Sequence, residues 1–206
     1  RTFSMEPART PVAPFARIEG ASLCYGQKIV LENLSLDIVP DAITCIIGLS
    51  GAGKSTILRL LNGLRKPNQG HVYHKGVDLC HLPDREVTRI RRSIGFSFQF
   101  SALFDSMTIG ENVAFPLREH TLMSDSEIRK KVAATLDMVG LGGVESKMPS
   151  ELSGGMLKRA GFARAVVTDP EMVLYDEPTT GSDPIITHVL TETIKRLRAA
   201  LRGTVV

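Results

Sequence analysis

The sequence predicts an α/β fold, and three stretches of the chain indicate it. Residues 15–40 alternate apolar and polar side chains, as strands do when one face is buried, with a turn at Gly26-Gln27. A second hairpin is predicted around the Lys75-Gly76 turn. An apolar run at Ile43–Ile47 predicts a short buried strand, and it precedes a glycine-rich loop and then helical residues. Between residues 107 and 167, helical signals dominate, including a capping box at Ser124 and Glu127 and apolar residues at three- and four-residue spacing. We therefore expect an N-terminal antiparallel β subdomain, a strand–loop–helix core and an α-helical insertion.

Composition indicates an ordinary globular enzyme module. The chain has 206 residues, 43% of them hydrophobic, and a net charge of +3. A local group of arginines (Arg85, Arg89, Arg91 and Arg92) is best explained as a solvated helix face, so no nucleic-acid partner is expected. Three distant cysteines do not form a disulfide framework. No apolar run reaches the roughly 20 residues needed to cross a bilayer.

The segment 48–56 fits the phosphate-binding pattern G-x-x-x-x-G-K-[ST]. Glycines let backbone amides approach a phosphate chain, and the following helix N-terminus favours negative charge. Lys54 can reach the terminal phosphates of a nucleotide, and the Ser55 hydroxyl can ligate Mg²⁺. The predicted nucleotide-binding residues of this loop are Gly48, Ser50, Gly51, Gly53, Lys54, Ser55 and Thr56.

Two acidic residues follow a second apolar run, 171–175. Asp176 ends this predicted strand, where an aspartate holds the Mg²⁺ shell in P-loop enzymes. Glu177 is placed to orient or deprotonate an attacking water. The alternative is an ordinary strand that ends in a polar turn.

A third motif, Leu-Ser-Gly-Gly, opens a predicted helix. Ser153 is a good N-cap, and Gly154 and Gly155 leave the first amides of the helix accessible to an anion. Taken alone, this motif is better explained as a plain glycine-rich cap.

The order of these motifs resembles the ATP-binding-cassette (ABC) ATPase family over residues 15–206. The resemblance implies a P-loop NTPase (RecA-like) core that carries the N-terminal β subdomain and a helical signature subdomain at about residues 100–169. Residues 1–14 are then a flexible arm or a tag remnant. The cofactors implied are ATP and Mg²⁺, and the implied activity is ATP hydrolysis.

The resemblance also assigns roles to single residues. Gln99 matches the glutamine that touches Mg²⁺ or the attacking water, which makes Gln99 and Glu177 the catalytic pair. Ser55, Gln99 and Asp176 become the metal ligands. Ser153, Gly154 and Gly155 match the signature motif, which binds the γ-phosphate of ATP held by the opposite subunit of a homodimer that sandwiches two ATP molecules. Tyr25 matches an aromatic that stacks on adenine; the alternative is a tyrosine packed in the core.

The sequence departs from the family pattern at three places. Ser182 stands where the family usually has Leu before the D-loop aspartate Asp183, and Met156 replaces a common Gln after the signature glycines. No residue matches the switch histidine. We therefore expect the chain to be truncated before that histidine and its isolated hydrolysis to be weak.

Two further segments, 113–121 and 148–156, are similar to the Mla-type ATPases of phospholipid transporters. This resemblance implies an ATPase peripheral to the cytoplasmic face of the inner membrane, with a transmembrane permease and an MCE-domain lipid-binding protein as partners. The alternatives are the ATPase of an amino-acid or other small-solute importer and, in another class, a soluble switch without transport. In the family's mechanism a groove near Gln99 contacts the permease, and we expect residues 100–112 to line it.

His71 and His74 alternate along a short predicted strand. A metal pair is conceivable, but neighbouring cysteines or carboxylates are missing from the local sequence. We expect both to be exposed strand residues.

Overall fold

The computed structural model of this protein describes residues 13–99, 101–201 and 203–206. The predicted N-terminal arm, residues 1–14, lies almost wholly outside the described residues. No helix of the described part of the chain is both long and apolar enough to span a membrane.

Two sheets form the β structure of the described residues. The first is antiparallel, in the order β2-β1-β3-β4, and consists of β1 (Ala16–Tyr25), β2 (Lys28–Ile38), β3 (Gln69–His74) and β4 (Val77–Asp78). Both predicted hairpins are present in it. The second is parallel, in the order β5-β6-β7, and consists of β5 (Ile94–Ser97), β6 (Met172–Tyr175) and β7 (Thr204–Val205).

The helices among the described residues follow the predicted pattern. They are α1 (Lys54–Leu61), α2 (Asp84–Arg91), α3 (Ile109–His120), α4 (Asp125–Met138), α5 (Gly154–Val166) and α6 (Pro184–Leu201), with a 3₁₀ turn at Pro149–Glu151. The predicted capping box of Ser124 and Glu127 starts α4. A second box, Thr108 with Glu111, starts α3. It has the same spacing and was detectable in the sequence.

The prediction of a buried strand at Ile43–Ile47 is wrong. Only Ile43 forms a bridge, parallel to Val205 of β7, and the Thr44 amide donates to the Val205 carbonyl at 2.8 Å. Ile47 is 93% exposed, and Leu49 is 85% exposed. The apolar run specifies an extended backbone, but burial needs a second layer of side chains, and the described residues provide none over Ile47.

Strand β6 lies between two hydrophobic cores because its successive side chains point to opposite faces. Met172 and Leu174 belong to the core that α1 shares with the antiparallel sheet. Val173 and Tyr175 belong to the core formed by helices α3 to α6, where Phe162 meets the Tyr175 ring edge-on at 4.9 Å. The end of β6, where Asp176 follows, is therefore fixed from both sides.

Candidate functional site

The glycine-rich loop wraps around its own lysine. Gly51 and Gly53 have φ values of +80° and +91°, a region that favours glycine. A Cβ on Gly53 would lie 2.9 Å from Leu31 Cδ2, because the loop passes close to β2. The Lys54 ammonium donates to the carbonyl oxygens of Gly48 and Leu49 at 3.1 and 3.0 Å. The loop thus surrounds a cation at the N-terminus of α1, a favourable position for phosphate.

The loop and the end of β6 meet at a hydroxyl and a carboxylate. Ser55 Oγ donates to Asp176 Oδ1 at 2.8 Å, although 121 residues separate the two. The Asp176 amide donates to the Ser97 carbonyl at 2.9 Å, which fixes the end of β6 against β5. A hydroxyl and a buried carboxylate side by side are the oxygen donors that Mg²⁺ prefers. The residues therefore fit a Mg²⁺ ion.

Glu177 contacts two other predicted site residues, Lys54 and Gln99. Its carboxylate forms an ion pair with Lys54 at 3.2 Å and accepts hydrogen bonds from Gln99 Nε2 at 3.0 Å and Thr180 Oγ1 at 3.1 Å. Hydrogen bonds from Lys54 and Thr180 hold the pKa of Glu177 below its ordinary value. Its φ of +46° is a left-handed conformation that favours glycine, a kind of strain that is concentrated at functional sites.

Comparison with known proteins identifies the family of this site. The sequence pattern described as ABC transporter matches residues 31–180. The chain belongs to the ABC transporter family. It is 45% identical over 179 residues to the intermembrane phospholipid transport system ATP-binding protein MlaF of Haemophilus influenzae, covering 87% of this chain and 68% of that protein.

Two further likenesses extend this assignment. The chain is 42% identical over 197 residues to the probable ribonucleotide transport ATP-binding protein mkl of Mycobacterium leprae, covering 96% of this chain but only 57% of that protein. The dimeric ATP-binding cassette MJ0796, solved in a post-hydrolysis state with ADP and Pi, superposes with a TM-score of 0.84 at 34% identity over 92% of this chain and 85% of that one. The predicted ABC family, P-loop α/β fold and ATPase class are confirmed, and an ABC ATPase domain binds ATP.

The residues that match the ABC signature motif lie on the surface of the described structure. Ser153 caps α5 by accepting from the Met156 amide at 3.4 Å, a long hydrogen bond. Ser153 and Gly154 are exposed. A Cβ on Gly155 would lie 3.2 Å from Ile186 Cγ2, so this glycine permits close packing on α6. The structure does not join these residues to the loop at 48–56 through any hydrogen bond among the described residues.

Lys158 connects α5, called the signature helix below because it begins with the residues that match the signature motif, to residues 180–182 of the same chain. The sequence analysis did not predict this contact. Its ammonium donates to the Thr180 carbonyl at 2.6 Å and to Ser182 Oγ at 2.9 Å. Burial lowers the pKa of Lys158. The departure from the family at Ser182 thus supplies a hydrogen-bond acceptor that a leucine lacks.

Arg164 fixes the segment that follows Gln99, a role that the sequence analysis did not predict. Its guanidinium donates to the Ala102 carbonyl at 2.7 Å and to the Ser101 carbonyl at 2.6 Å. Ser101 and Ala102 have φ values of +62° and +46°. Burial lowers the pKa of Arg164. An arginine in the last turn of a helix carries no local signal of this contact, because its acceptors are 62 and 63 residues away.

A groove of about 520 Å³ is lined in part by Phe98, the residue before Gln99, and by Ala102 and Phe104 from the predicted segment 100–112. The rest of its lining differs from that prediction. Asn112 is fully buried and holds the loop before α3 through its contacts with the Phe104, Met107 and Thr108 backbone, so its inclusion was wrong. Phe100 lies outside the described residues. Side chains from five parts of the chain contribute to the groove, among them Arg92, Phe98, Phe104, Phe115, His120 and Arg164.

Tyr25 ends β1 at the tip of the first hairpin and is 40% exposed, so the alternative of a core tyrosine is wrong. The Arg65 guanidinium carbon lies 5.2 Å from the centre of its ring. An exposed aromatic face suits a stacking partner. Its contact with adenine stays a prediction.

Proposed function

We propose that this chain is the ATP-hydrolysing subunit of an ABC transporter that powers phospholipid transport across the cell envelope with an MCE-type complex. ATP hydrolysis is supported by one observation, the side-chain contacts that bring together Lys54, Ser55, Asp176, Glu177 and Gln99. The cargo is supported by the 45% identity to a protein named for intermembrane phospholipid transport. A permease would hold the chain at the cytoplasmic face of the inner membrane.

A second cargo class has its own support. The mycobacterial relative is named for probable ribonucleotide transport, and it is 42% identical to this chain. A small-solute importer would use the same ATPase residues, because the cargo does not touch this subunit in such transporters. A soluble switch without transport is less favoured because both relatives are named as transport proteins.

The loop residues would bind the nucleotide through charge and backbone amides. Lys54 would transfer its hydrogen bonds from the Gly48 and Leu49 carbonyls to the β- and γ-phosphates, and the glycines would let the amides turn inward. Ser55 and Asp176, with Gln99, would hold a Mg²⁺ ion. Such an ion neutralises charge on the phosphates.

Glu177 would act as the base toward the attacking water. In the present arrangement Lys54 holds its carboxylate and lowers its pKa, which makes it a weak base. Phosphates that recruit Lys54 would remove this partner and raise the pKa of Glu177. Gln99, already 3.0 Å from the carboxylate, would help to orient the water. Nucleotide binding would therefore prepare the base for its reaction.

A homodimer explains why the signature residues lie on the surface. Ser153 and Gly154 leave the N-terminus of α5 open to an anion, and that anion would be the γ-phosphate of ATP on the partner subunit. Two ATP molecules would then join two subunits, and hydrolysis would weaken the contact. The dimeric cassette MJ0796 supports this arrangement by its fold.

The groove beside Gln99 is our proposed contact for the permease. Phe98 and Phe104 are exposed there, and Arg92 adds charge at its edge. Arg164 connects this groove to the signature helix through Ser101 and Ala102. A helix of the permease in the groove would therefore respond when α5 moves.

The first test concerns the assembly. The full-length chain is purified from its native membranes in mild detergent, and the proteins and lipids that accompany it are identified by mass spectrometry. A small permease, an MCE-domain protein and bound phospholipid would support the proposal. A solute-binding protein would move the cargo to small solutes. Recovery of no membrane protein would refute the transport reading.

The second test concerns the chemistry. In the full-length chain, Lys54→Ala should abolish tight Mg-ATP binding, and Glu177→Gln should trap an ATP-bound dimer that size-exclusion chromatography detects. Lys130→Ala and Glu192→Gln are matched controls because both residues are exposed and neither lines the cavity that contains Lys54, Asp176 and Glu177. Parent-like hydrolysis by Glu177→Gln would contradict its role as the base.

The third test concerns the groove. The charge reversal Arg92→Glu, together with Phe98→Asp, should stop transport in reconstituted membranes while ATP affinity is kept. Arg85→Glu is the control because Arg85 lies on α2, which ends just before Arg92, but does not line the groove. Unchanged transport in the double variant would refute the proposal that the permease binds in this groove.

A further inference from the structure

Three side chains that commonly ligate metals meet on the β3–β4 hairpin, and none of them belongs to the proposed nucleotide site. Nδ1 of His71 lies 2.8 Å from Asp78 Oδ2, and Nδ1 of His81 lies 2.6 Å from the same oxygen. All three ligand atoms lie within 4.8 Å of one another. Two imidazoles and a carboxylate form a ligand set that suits Zn²⁺ and its first-row neighbours.

The backbone brings these residues together. In the hairpin, Tyr73 pairs with Asp78 across a short turn, and residues two apart on a strand share a face. His71 therefore lies on the face that carries Asp78. The Cys80 amide donates to Asp78 Oδ1 at 2.9 Å, which turns the chain back after β4. This turn stacks the His81 ring on the His71 ring at 5.5 Å. The cluster is thus positioned by strand register and a turn.

The expectation that His71 and His74 are both exposed and lack a carboxylate companion was wrong. His74 is buried and meets the Phe15 ring edge-on at 5.0 Å, on the face opposite to His71. His71 has Asp78 as its companion, seven residues away and across the hairpin. Local sequence spacing could not show a partner on the neighbouring strand.

We propose that His71, Asp78 and His81 form a binding site for one divalent transition-metal ion, with Zn²⁺ as the ion that fits best. Tetrahedral bonds of about 2.1 Å place ligand atoms about 3.4 Å apart. The two nitrogens must therefore retreat from the carboxylate by less than about 1 Å each, which the partly exposed rings of His71 and His81 permit. The ion replaces the protons that now lie between the imidazoles and the carboxylate.

A fourth ligand is available on the neighbouring strand. Glu19 of β1 pairs directly with His71 of β3 and is exposed. Directly paired residues place their Cβ atoms about 4.5–5.5 Å apart, so the Glu19 carboxylate can reach the ion by a rotamer change. The cation Lys66 lies nearby, but its ammonium is held at the Cys80 and Leu82 carbonyls at 3.4 and 3.2 Å. A second cation near Glu19, Arg17, is neutralised by its ion pair with Asp37 at 2.6 Å. The two carboxylates and the Lys66 ammonium therefore leave the site with a favourable net negative charge.

The test uses the full-length chain without an affinity tag. Co²⁺ is titrated while the visible absorption of a tetrahedral complex is recorded, and Zn²⁺ binding is measured by calorimetry. One equivalent should bind, and His81→Gln and His71→Asn should each weaken binding at least tenfold. His120→Gln is the matched control because His120 is an exposed histidine on α3, remote from the hairpin in sequence, and should leave the affinity unchanged.

Two further measurements distinguish a loss of metal binding from misfolding and from a loss of ATP hydrolysis. Zn²⁺ should raise the thermal midpoint of the parent and of His120→Gln, because an ion that binds only the native state stabilises it, but not that of His81→Gln. ATP hydrolysis at saturating Mg-ATP should be the same for the parent and His81→Gln. One-equivalent binding that persists in the His71→Asn, His81→Gln double variant would overturn the proposal. So would the absence of binding to the parent up to 1 mM, since a purely hydrogen-bonded polar cluster predicts this result.

Discussion

Gly53→Ala should destabilise the nucleotide-free protein far more than Gly51→Ala, although both glycines belong to the same loop. Both have a left-handed φ, at +91° and +80°, which costs an L-residue about 1 kcal/mol. Only at Gly53 does the added methyl group meet other atoms, at 2.9 Å from Leu31 Cδ2 and 3.2 Å from the Val30 carbonyl oxygen. At Gly51 nothing lies within 4 Å.

The magnitude follows from that difference. Forcing a methyl group into a packed contact costs about 1–3 kcal/mol, which added to the conformational cost gives about 2–4 kcal/mol for Gly53→Ala against about 1 kcal/mol for Gly51→Ala. Urea unfolding without nucleotide, followed by far-UV circular dichroism, is the suitable assay because the chain contains no tryptophan. If the two variants unfold within 0.5 kcal/mol of each other, the proximity of the loop to β2 does not constrain Gly53 and the reasoning fails.

Three other predictions concern the surroundings of the site. Asn112→Ala should lower the free energy of unfolding by about 2–4 kcal/mol, because a fully buried amide leaves several backbone groups without a partner; urea unfolding measures this. Arg164→Lys should speed hydrogen exchange at Ser101 and Ala102, since a lysine cannot donate to both carbonyls in the same fork geometry, and unchanged exchange would contradict it. The pKa of Glu177 lies below its ordinary value of 4.5, so its ion pair with Lys54 stabilises the protein above about pH 4.5 and is lost as the pH falls below it. Lys54→Ala should flatten that part of the stability profile between pH 3 and 6, and an unchanged profile would refute the coupling.

The sequence by itself determined the features that depend on near neighbours along the chain. The glycine and lysine pattern at 48–56 specifies a loop before a helix, and it is present with α1 starting at Lys54. Ser124 and Glu127 specify a capping box because both partners lie within one turn. The alternation of residues 15–40 specifies a hairpin, and β1 and β2 form it.

Tertiary structure decided what depends on residues far apart in the sequence. Burial of Ile47 requires a covering layer, and its apolar character could not supply one. The pairing of Ser55 with Asp176 spans 121 residues, and that of Gln99 with Glu177 spans 78, so only the fold fixes their distances and the lowered pKa of Glu177. His71 shows the same limit, because its carboxylate partner lies across a hairpin. Local chemistry selects the backbone conformation, whereas burial, pKa and ligand geometry are set by whichever side chains the fold brings into contact.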